Sequence, residues 1–196
     1  MRSRILEAAK TLFVAEGYPS VSIRRIAEAI EYSPSTIYGY FKDKDDILFA
    51  LHNVAFQDLF RRQLPNAQIT SPVDRLLAFL STYLEFALDN REYYDLMFIQ
   101  YAPVSRIKEK AEWRYGRRSF DMLRDTVRAC QDSGYLRGTD PDAAALGLWS
   151  FVHGVASLII RHRIPMLPPE RREDLARQAM EMLTGMVGAT RHRVVQ

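Results

Sequence analysis

Between Ser33 and Lys44 the chain gathers side chains suited to gripping a phosphodiester backbone and reading base edges. Ser33, Ser35, Thr36, Tyr38 and Tyr40 supply hydroxyls, which bond phosphate oxygens and base edges alike. Gly39 lets a backbone approach closely, and Arg24, Lys42 and Lys44 are the nearest cations able to reach a phosphate or a guanine edge. Ile37 and Phe41 lie four apart, so a helix buries both on one face and leaves the hydroxyls, the tyrosines and the glycine for a partner. A three-helix bundle with solvated lysines is the blander reading. Two tyrosines and a glycine on so small an exposed face argue against it.

Two short helices must position these groups. Ser20 or Ser22 caps the first, whose apolar residues Ile23, Ile26, Ala27 and Ile30 fall at helical spacing. Ser33 is a natural cap for the second, and Pro34 suits its first turn, where a missing N–H costs nothing. Two such helices across a tight turn have the layout of a helix-turn-helix, in which one helix braces and the next enters the DNA major groove. Ahead of them, Ile5, Leu6, Ala9, Leu12 and Phe13 read as an amphipathic helix closed by Gly17. Asp43, with Asp46 three residues on, approximates a capping box for a fourth helix over Asp45–Leu64, with an apolar stripe at Ile47, Leu48, Leu51, Val54, Ala55, Leu59 and Leu64.

The rest continues as helix after helix. Ser71-Pro72 opens one with Leu76, Leu77, Phe79, Leu80, Tyr83, Leu84 and Leu88; Arg91 to Tyr101 is short and aromatic; a polar-faced helix runs to about Asp132. Asp140-Pro141 opens an apolar helix through Ile160, and Glu170 to about Val187 forms the last. Nothing alternates with period two, so the expectation is an all-α protein of about nine helices: a three-helix head at 1–46 on a larger body at 47–196.

The head carries seven basic residues (Arg2, Arg4, Lys10, Arg24, Arg25, Lys42, Lys44) and seven acidic ones (Glu7, Glu16, Glu28, Glu31, Asp43, Asp45, Asp46), so attraction to phosphate must come from placement rather than total charge. The chain as a whole has net charge +3. Cys130 is the single cysteine, which suits a cytoplasmic chain. No stretch is read as the ~20 apolar residues that span a bilayer, and Glu7, Lys10 and Glu16 interrupt any signal-peptide core. A phosphate loop, a Gly-x-Ser-x-Gly and a His-Glu-x-x-His are missing, and His52, His153, His162 and His192 are scattered. The expectation is therefore no enzyme, no cofactor, no metal site and no membrane partner.

At this point the match becomes specific. Residues 5–51 resemble the DNA-binding head of the TetR family of one-component repressors, through Ile5-Leu6-Glu7-Ala8-Ala9, Leu12-Phe13, Glu16-Gly17-Tyr18, Ser22-Ile23-Arg24-Arg25-Ile26-Ala27, Ser33, Thr36-Ile37-Tyr38, Tyr40-Phe41 and Lys44. The resemblance implies that Ser22, Tyr38, Tyr40 and Lys44 contact phosphates. It puts Arg24, Ser35, Thr36 and Gly39 at or near base edges, and Pro34 against apolar groups such as a thymine methyl. One departure stands in the turn, where the family's glycine is replaced by Glu31 and a small aliphatic by Tyr32. Glu31 must either adopt a left-handed conformation, at roughly 1 kcal/mol, or sit in a rearranged turn. Pro34 likewise replaces a common lysine.

Downstream, Trp149-Ser150-Phe151-Val152-His153-Gly154 is similar to the Trp-xxx-His-Gly signature of one subgroup of the family's C-terminal domains. An apolar effector pocket is expected among the body's aromatics, with Tyr83, Phe86, Tyr94, Phe98, Trp113, Phe120, Trp149 and His153 as candidates. The same aromatics equally fill a large helical core, His153 reads either as a ligand contact or as a satisfied buried histidine, and Trp149 suits core or dimer packing. The resemblance implies a homodimer whose last two long helices, near 141–163 and 169–188, pair with their symmetry mates. It further implies a double-stranded palindromic operator and an unknown small-molecule effector. The alternative is a small-molecule-binding or interaction module that has lost operator binding through its altered turn.

Overall fold

The computed structural model describes residues 1–98 and 114–191, and these form nine α-helices with no strand among them. They are α1 (Arg2–Glu16), α2 (Ile23–Ala29), α3 (Pro34–Tyr38), α4 (Lys44–Gln63), α5 (Pro72–Asp89), α6 (Arg91–Phe98), α7 (Arg114–Asp132), α8 (Pro141–Ile160) and α9 (Arg172–Ala189). The chain divides into two compact units. One comprises Met1–Asp58 with the described part of Asn90–Gly116, the other Leu59–Asp89 with the described part of Arg117–Gln196.

In the first unit, α1 buries Ile5, Leu6, Ala9, Leu12 and Phe13 and stops at Gly17, whose φ of 79° suits glycine and whose N–H returns to the Phe13 carbonyl. Ser22 Oγ caps α2 by accepting from the Arg25 N–H at 3.1 Å. The turn after α2 is a Schellman motif: Tyr32 N–H donates to the Ala27 carbonyl at 3.0 Å and Glu31 N–H to that of Glu28 at 3.2 Å. Glu31 sits between them at φ 61°, which is the left-handed alternative. Only a Cβ makes that conformation costly, by about 1 kcal/mol. Glu31→Gly is therefore expected to raise stability by up to ~0.5 kcal/mol, the strain relieved less the entropy glycine adds to the unfolded chain, read as a higher urea midpoint at unchanged m.

α3 is barely a turn and a half, so tertiary packing holds it. Ile37 is fully buried and Phe41 nearly so, and both join the core made by α1, α2 and α4. Asp43 Oδ1 accepts from the Asp46 N–H at 2.8 Å while Asp46 Oδ2 accepts from that of Lys42 at 3.0 Å, a capping arrangement for α4 displaced by one residue from the usual box. The stripe expected on α4 needs correcting. Val54 and Leu64 are exposed, while Phe49, Ala50 and Phe56 are buried beside Ile47, Leu48, Leu51 and Ala55, because α4 is covered around most of its circumference.

His52 belongs to this unit. Its Nε2 lies 2.9 Å from the Met97 carbonyl of α6, which makes Nε2 the protonated nitrogen, and Nδ1 is buried without a hydrogen-bond partner. Burial holds the imidazole below its usual 6.5, against the pull of the Met97 hydrogen bond. The unfolded chain thus takes up a proton first as pH falls. Stability is full above about 6.5 and declines below it until the folded imidazole is itself protonated. The thermal midpoint is expected to fall from pH 7.5 to 5.5, with His52→Gln flattening the slope.

In the second unit, α5 buries Leu76, Phe79, Leu80, Tyr83, Leu84, Phe86 and Ala87, and packs against α8 and α9. Asp140 caps α8 by accepting from the N–H groups of Asp142 and Ala143, at 2.9 and 3.0 Å. α9 buries Ala176, Met180, Leu183 and Val187 at spacings of four, three and four. One expectation is corrected here: among the described residues α8, 20 residues long with an 18-residue window of mean hydropathy 1.8, is long and apolar enough by length and composition alone to cross a membrane. Leu146, Leu148, Phe151, Val152, Val155, Leu158, Ile159 and Ile160 raise the average, but Gly147, Trp149, Ser150, His153, Gly154 and Ser157 interrupt them, so the sequence holds no long continuous run of large apolar side chains.

Candidate nucleic-acid interface and effector site

All ten candidate DNA-contacting residues fall in the first compact unit. On α3 and just beyond it, Pro34, Ser35, Tyr38, Gly39 and Tyr40 are exposed, Tyr38 by 59% and Tyr40 by 48%, while Thr36 is half-buried. Ser33 Oγ spends its capacity locally, 3.4 Å from the Thr36 N–H it caps and 3.2 Å from Thr36 Oγ1. Gly39 has an ordinary helical φ of −68°, so glycine is not required there by backbone angle. A Cβ at Gly39 would meet the Thr36 carbonyl oxygen at 3.3 Å, so bareness matters for close packing and close approach.

The cations are less free than their exposure suggests. Arg24 Nε donates to Glu28 at 3.0 Å along the surface of α2, and Arg25 binds Glu16 through Nε and Nη2 at 3.1 and 2.9 Å. Lys44 Nζ donates to the Tyr18 carbonyl at 2.7 Å, stands 3.4 Å from that of Pro19, and lies 4.2 Å from the Tyr18 ring centroid. Tyr18 in turn donates its hydroxyl to Asp45. Lys44 therefore braces the turn between α1 and α2, with its ammonium largely spent on that turn. Sequence reasoning passed over two arginines: the Arg4 guanidinium lies 5.4 Å from the Tyr32 ring centroid and that of Arg2 4.9 Å from the Phe41 ring. Their partners are remote in sequence, so no local pattern marks them.

The described candidate effector residues are drawn from both units. In the second unit, the Tyr83 hydroxyl lies 2.9 Å from His153 Nδ1, and the Trp149 ring meets His153 edge-on at 5.8 Å between centroids. Burial lowers the pKa of His153, which favours the neutral ring. Phe86 is buried beneath the Arg62 guanidinium at 5.5 Å, and Phe120 is half-buried. In the first unit, Tyr94 is fully buried and its ring lies 5.2 Å from that of Phe98. Trp113 lies outside the described residues. A cavity of about 180 Å³ opens elsewhere in the second unit, lined by Ala67, Arg75, Phe79, Met122, Asp125 and Thr126, none of them a candidate from sequence.

A three-helix head with a capped, hydroxyl-bearing third helix, in a chain whose other described elements are all helical, defines a helix-turn-helix DNA-binding regulator. Residues 5–51 match the family described as bacterial regulatory proteins, tetR family, and residues 76–183 match the tetracyclin repressor-like C-terminal domain. The HTH-type transcriptional regulator HbdR of Aromatoleum sp. (strain CIB) is 30% identical over 165 residues, covering 79% of this chain and 68% of that protein. QacR of Staphylococcus aureus is 27% identical over 116 residues, covering 56% of this chain and 60% of its own. The fold matches that of the TetR-family regulator PfmR from Thermus thermophilus, with a TM-score of 0.72 at 24% identity over 94% of this chain and 95% of that one. The chain belongs to the TetR family of transcriptional regulators: it is a ligand-responsive, DNA-binding regulator of the repressor type.

Proposed function

We propose that the chain acts in the cytoplasm as a homodimeric repressor, released from a palindromic operator when a small molecule binds its body. The observation that carries the reading is the exposed face of Ser35, Tyr38, Gly39 and Tyr40 over a buried Ile37, at the end of a helix-turn-helix. In this reading residues 1–46 bind DNA, and residues 47–196 bind the effector and dimerise. Ser22, Tyr38 and Tyr40 take phosphates, as does Lys44 once a phosphate oxygen replaces a turn carbonyl at its ammonium, while Arg24, exchanging Glu28 for DNA, joins Ser35, Thr36 and Gly39 at base edges, with Pro34 against a thymine methyl. Ser33 caps the recognition helix. No observation favours a module that has lost operator binding, because Glu31 accommodates the turn in a regular Schellman geometry.

Pairing of α8 and α9 with their symmetry mates suits their exposed residues. Leu146 and Leu158 on α8 and Met182 and Met186 on α9 are each about half exposed, and a Cβ at Gly147, Gly154, Gly185 or Gly188 would meet open space. A partner helix there would bury the apolar length of α8, which needs no bilayer to cover it. Effector contacts centre on Tyr83, Trp149 and His153, in keeping with the Trp-xxx-His-Gly subgroup.

The mechanism is geometric. Two recognition helices dock on a palindrome only when they stand ~34–36 Å apart or at a multiple of it. An effector that prefers a body with another spacing must weaken DNA binding, and DNA must weaken effector binding by the same factor. α4 starts at the Asp43 cap and runs unbroken from head to body, so it is the natural lever. A mobility-shift assay on DNA upstream of the protein's own gene tests the reading. A shift abolished by Tyr38→Ala supports it, and no shift at low salt overturns it.

A further inference from the structure

We propose that Arg2 and Arg4 contact DNA phosphates on either side of the recognition helix and supply much of the electrostatic grip of an otherwise neutral head. The proposal rests on the operator-binding reading above. Three of the head's seven cations are held in ion pairs: Lys10 with Glu7 at 2.7 Å, Arg24 with Glu28 at 3.0 Å and Arg25 with Glu16 at 2.9 Å. A fourth, Lys44, is spent on the Tyr18 and Pro19 carbonyls. Among the described residues Arg2, Arg4 and Lys42 have no carboxylate partner, and all three are exposed.

Their placement is not random. The Arg4 guanidinium lies over Tyr32, the residue before the Ser33 cap, and that of Arg2 over Phe41, just past the end of α3. The two guanidiniums therefore bracket α3, one beside each end. A guanidinium held over a ring engages it without using a hydrogen bond, so its N–H donors stay available for a phosphate. A ring contact also fixes a long side chain in advance, so less rotamer entropy is lost when DNA arrives.

Helix stability does not account for either arginine. Both lie in the first turn of α1, where the helix dipole disfavours positive charge, and that turn has neither an acidic residue nor a side-chain cap. What offsets that cost is the two ring contacts, which tie both guanidiniums to the ends of α3.

Salt dependence tests this directly. Each phosphate contact contributes ~0.9 to the slope of log K against log salt. Arg2→Ala or Arg4→Ala, present twice in a dimer, should each lower the slope by about 1.8, and together by about 3.6. The probes are a duplex from upstream of the gene and a scrambled duplex of equal length, followed by fluorescence anisotropy from 50 to 200 mM KCl. Both should weaken by the same factor, since phosphate contacts carry no sequence information. The Arg2→Lys/Arg4→Lys protein keeps the charges, so it should keep the slope and guard against a folding artefact. A double-alanine protein of normal helix content with an unchanged slope overturns the proposal while leaving operator binding intact. So does a loss confined to the upstream duplex. Failure of the wild type to bind either duplex at 50 mM KCl removes the operator reading itself, and this proposal with it.

Discussion

Tyr38→Ala is expected to weaken operator binding by two to four orders of magnitude while leaving the thermal midpoint where it was. Tyr38 is 59% exposed, and its hydroxyl makes no hydrogen bond among the described residues, so the folded protein gains little from it. Exposed substitutions of this kind stay within about ±0.5 kcal/mol of wild type. On DNA the balance reverses. A hydrogen bond to a charged phosphate is worth ~1.5–3 kcal/mol, and the dimer makes it twice, so ~3–6 kcal/mol is lost at 1.4 kcal/mol per tenfold. Tyr38→Phe separates the hydroxyl from the ring, and most of the loss should follow the hydroxyl. An alanine variant that binds as wild type would take Tyr38 out of the interface.

Its neighbour behaves in the opposite way. Ile37 is fully buried in the core shared by α1, α2 and α4, so Ile37→Ala should cost ~2–5 kcal/mol through lost burial and the cavity left behind. For a chain of this size that is a drop of roughly 4–20 °C in the thermal midpoint. DNA binding falls too, because α3 is too short to persist without its anchor. Adjacent residues on one short helix thus separate by readout: Tyr38 changes affinity at constant stability, and Ile37 changes both. Thermal unfolding followed by circular dichroism, paired with a binding isotherm, distinguishes them.

The parts of this architecture legible from sequence are those set by local chemistry. Gly17, Ser22, Ser33, Asp43 and Asp140 mark helix ends because a φ angle or a side-chain oxygen acts within four residues, and each does so in the structure. Glu31 was legible for the same reason, as one of two conformations. What the sequence hid depends on contacts between distant segments. Arg24 and Lys44 read as free cations until Glu28 and the Tyr18 carbonyl appear beside them. Phe49 and Phe56 lie off the stripe that periodicity marks on α4, because that helix is covered on several sides. The effector residues were least legible, since an aromatic lining a pocket and one filling a core obey the same pattern. Tyr94, fully buried with its ring against Phe98, sits at the core end of that range. Tyr83 with His153 makes a polar pair inside an apolar helix packing, the feature that composition alone cannot reveal.

Hydroxyl-radical footprinting of the wild-type protein on its upstream DNA tests most directly whether the α3 face grips an operator as a symmetric pair. Two protected patches related by a dyad, their centres ~10–10.5 base pairs apart or at a multiple of that spacing, are the predicted result, lost together in Tyr38→Ala. A single patch, protection that survives Tyr38→Ala, or no protection at low salt would contradict it.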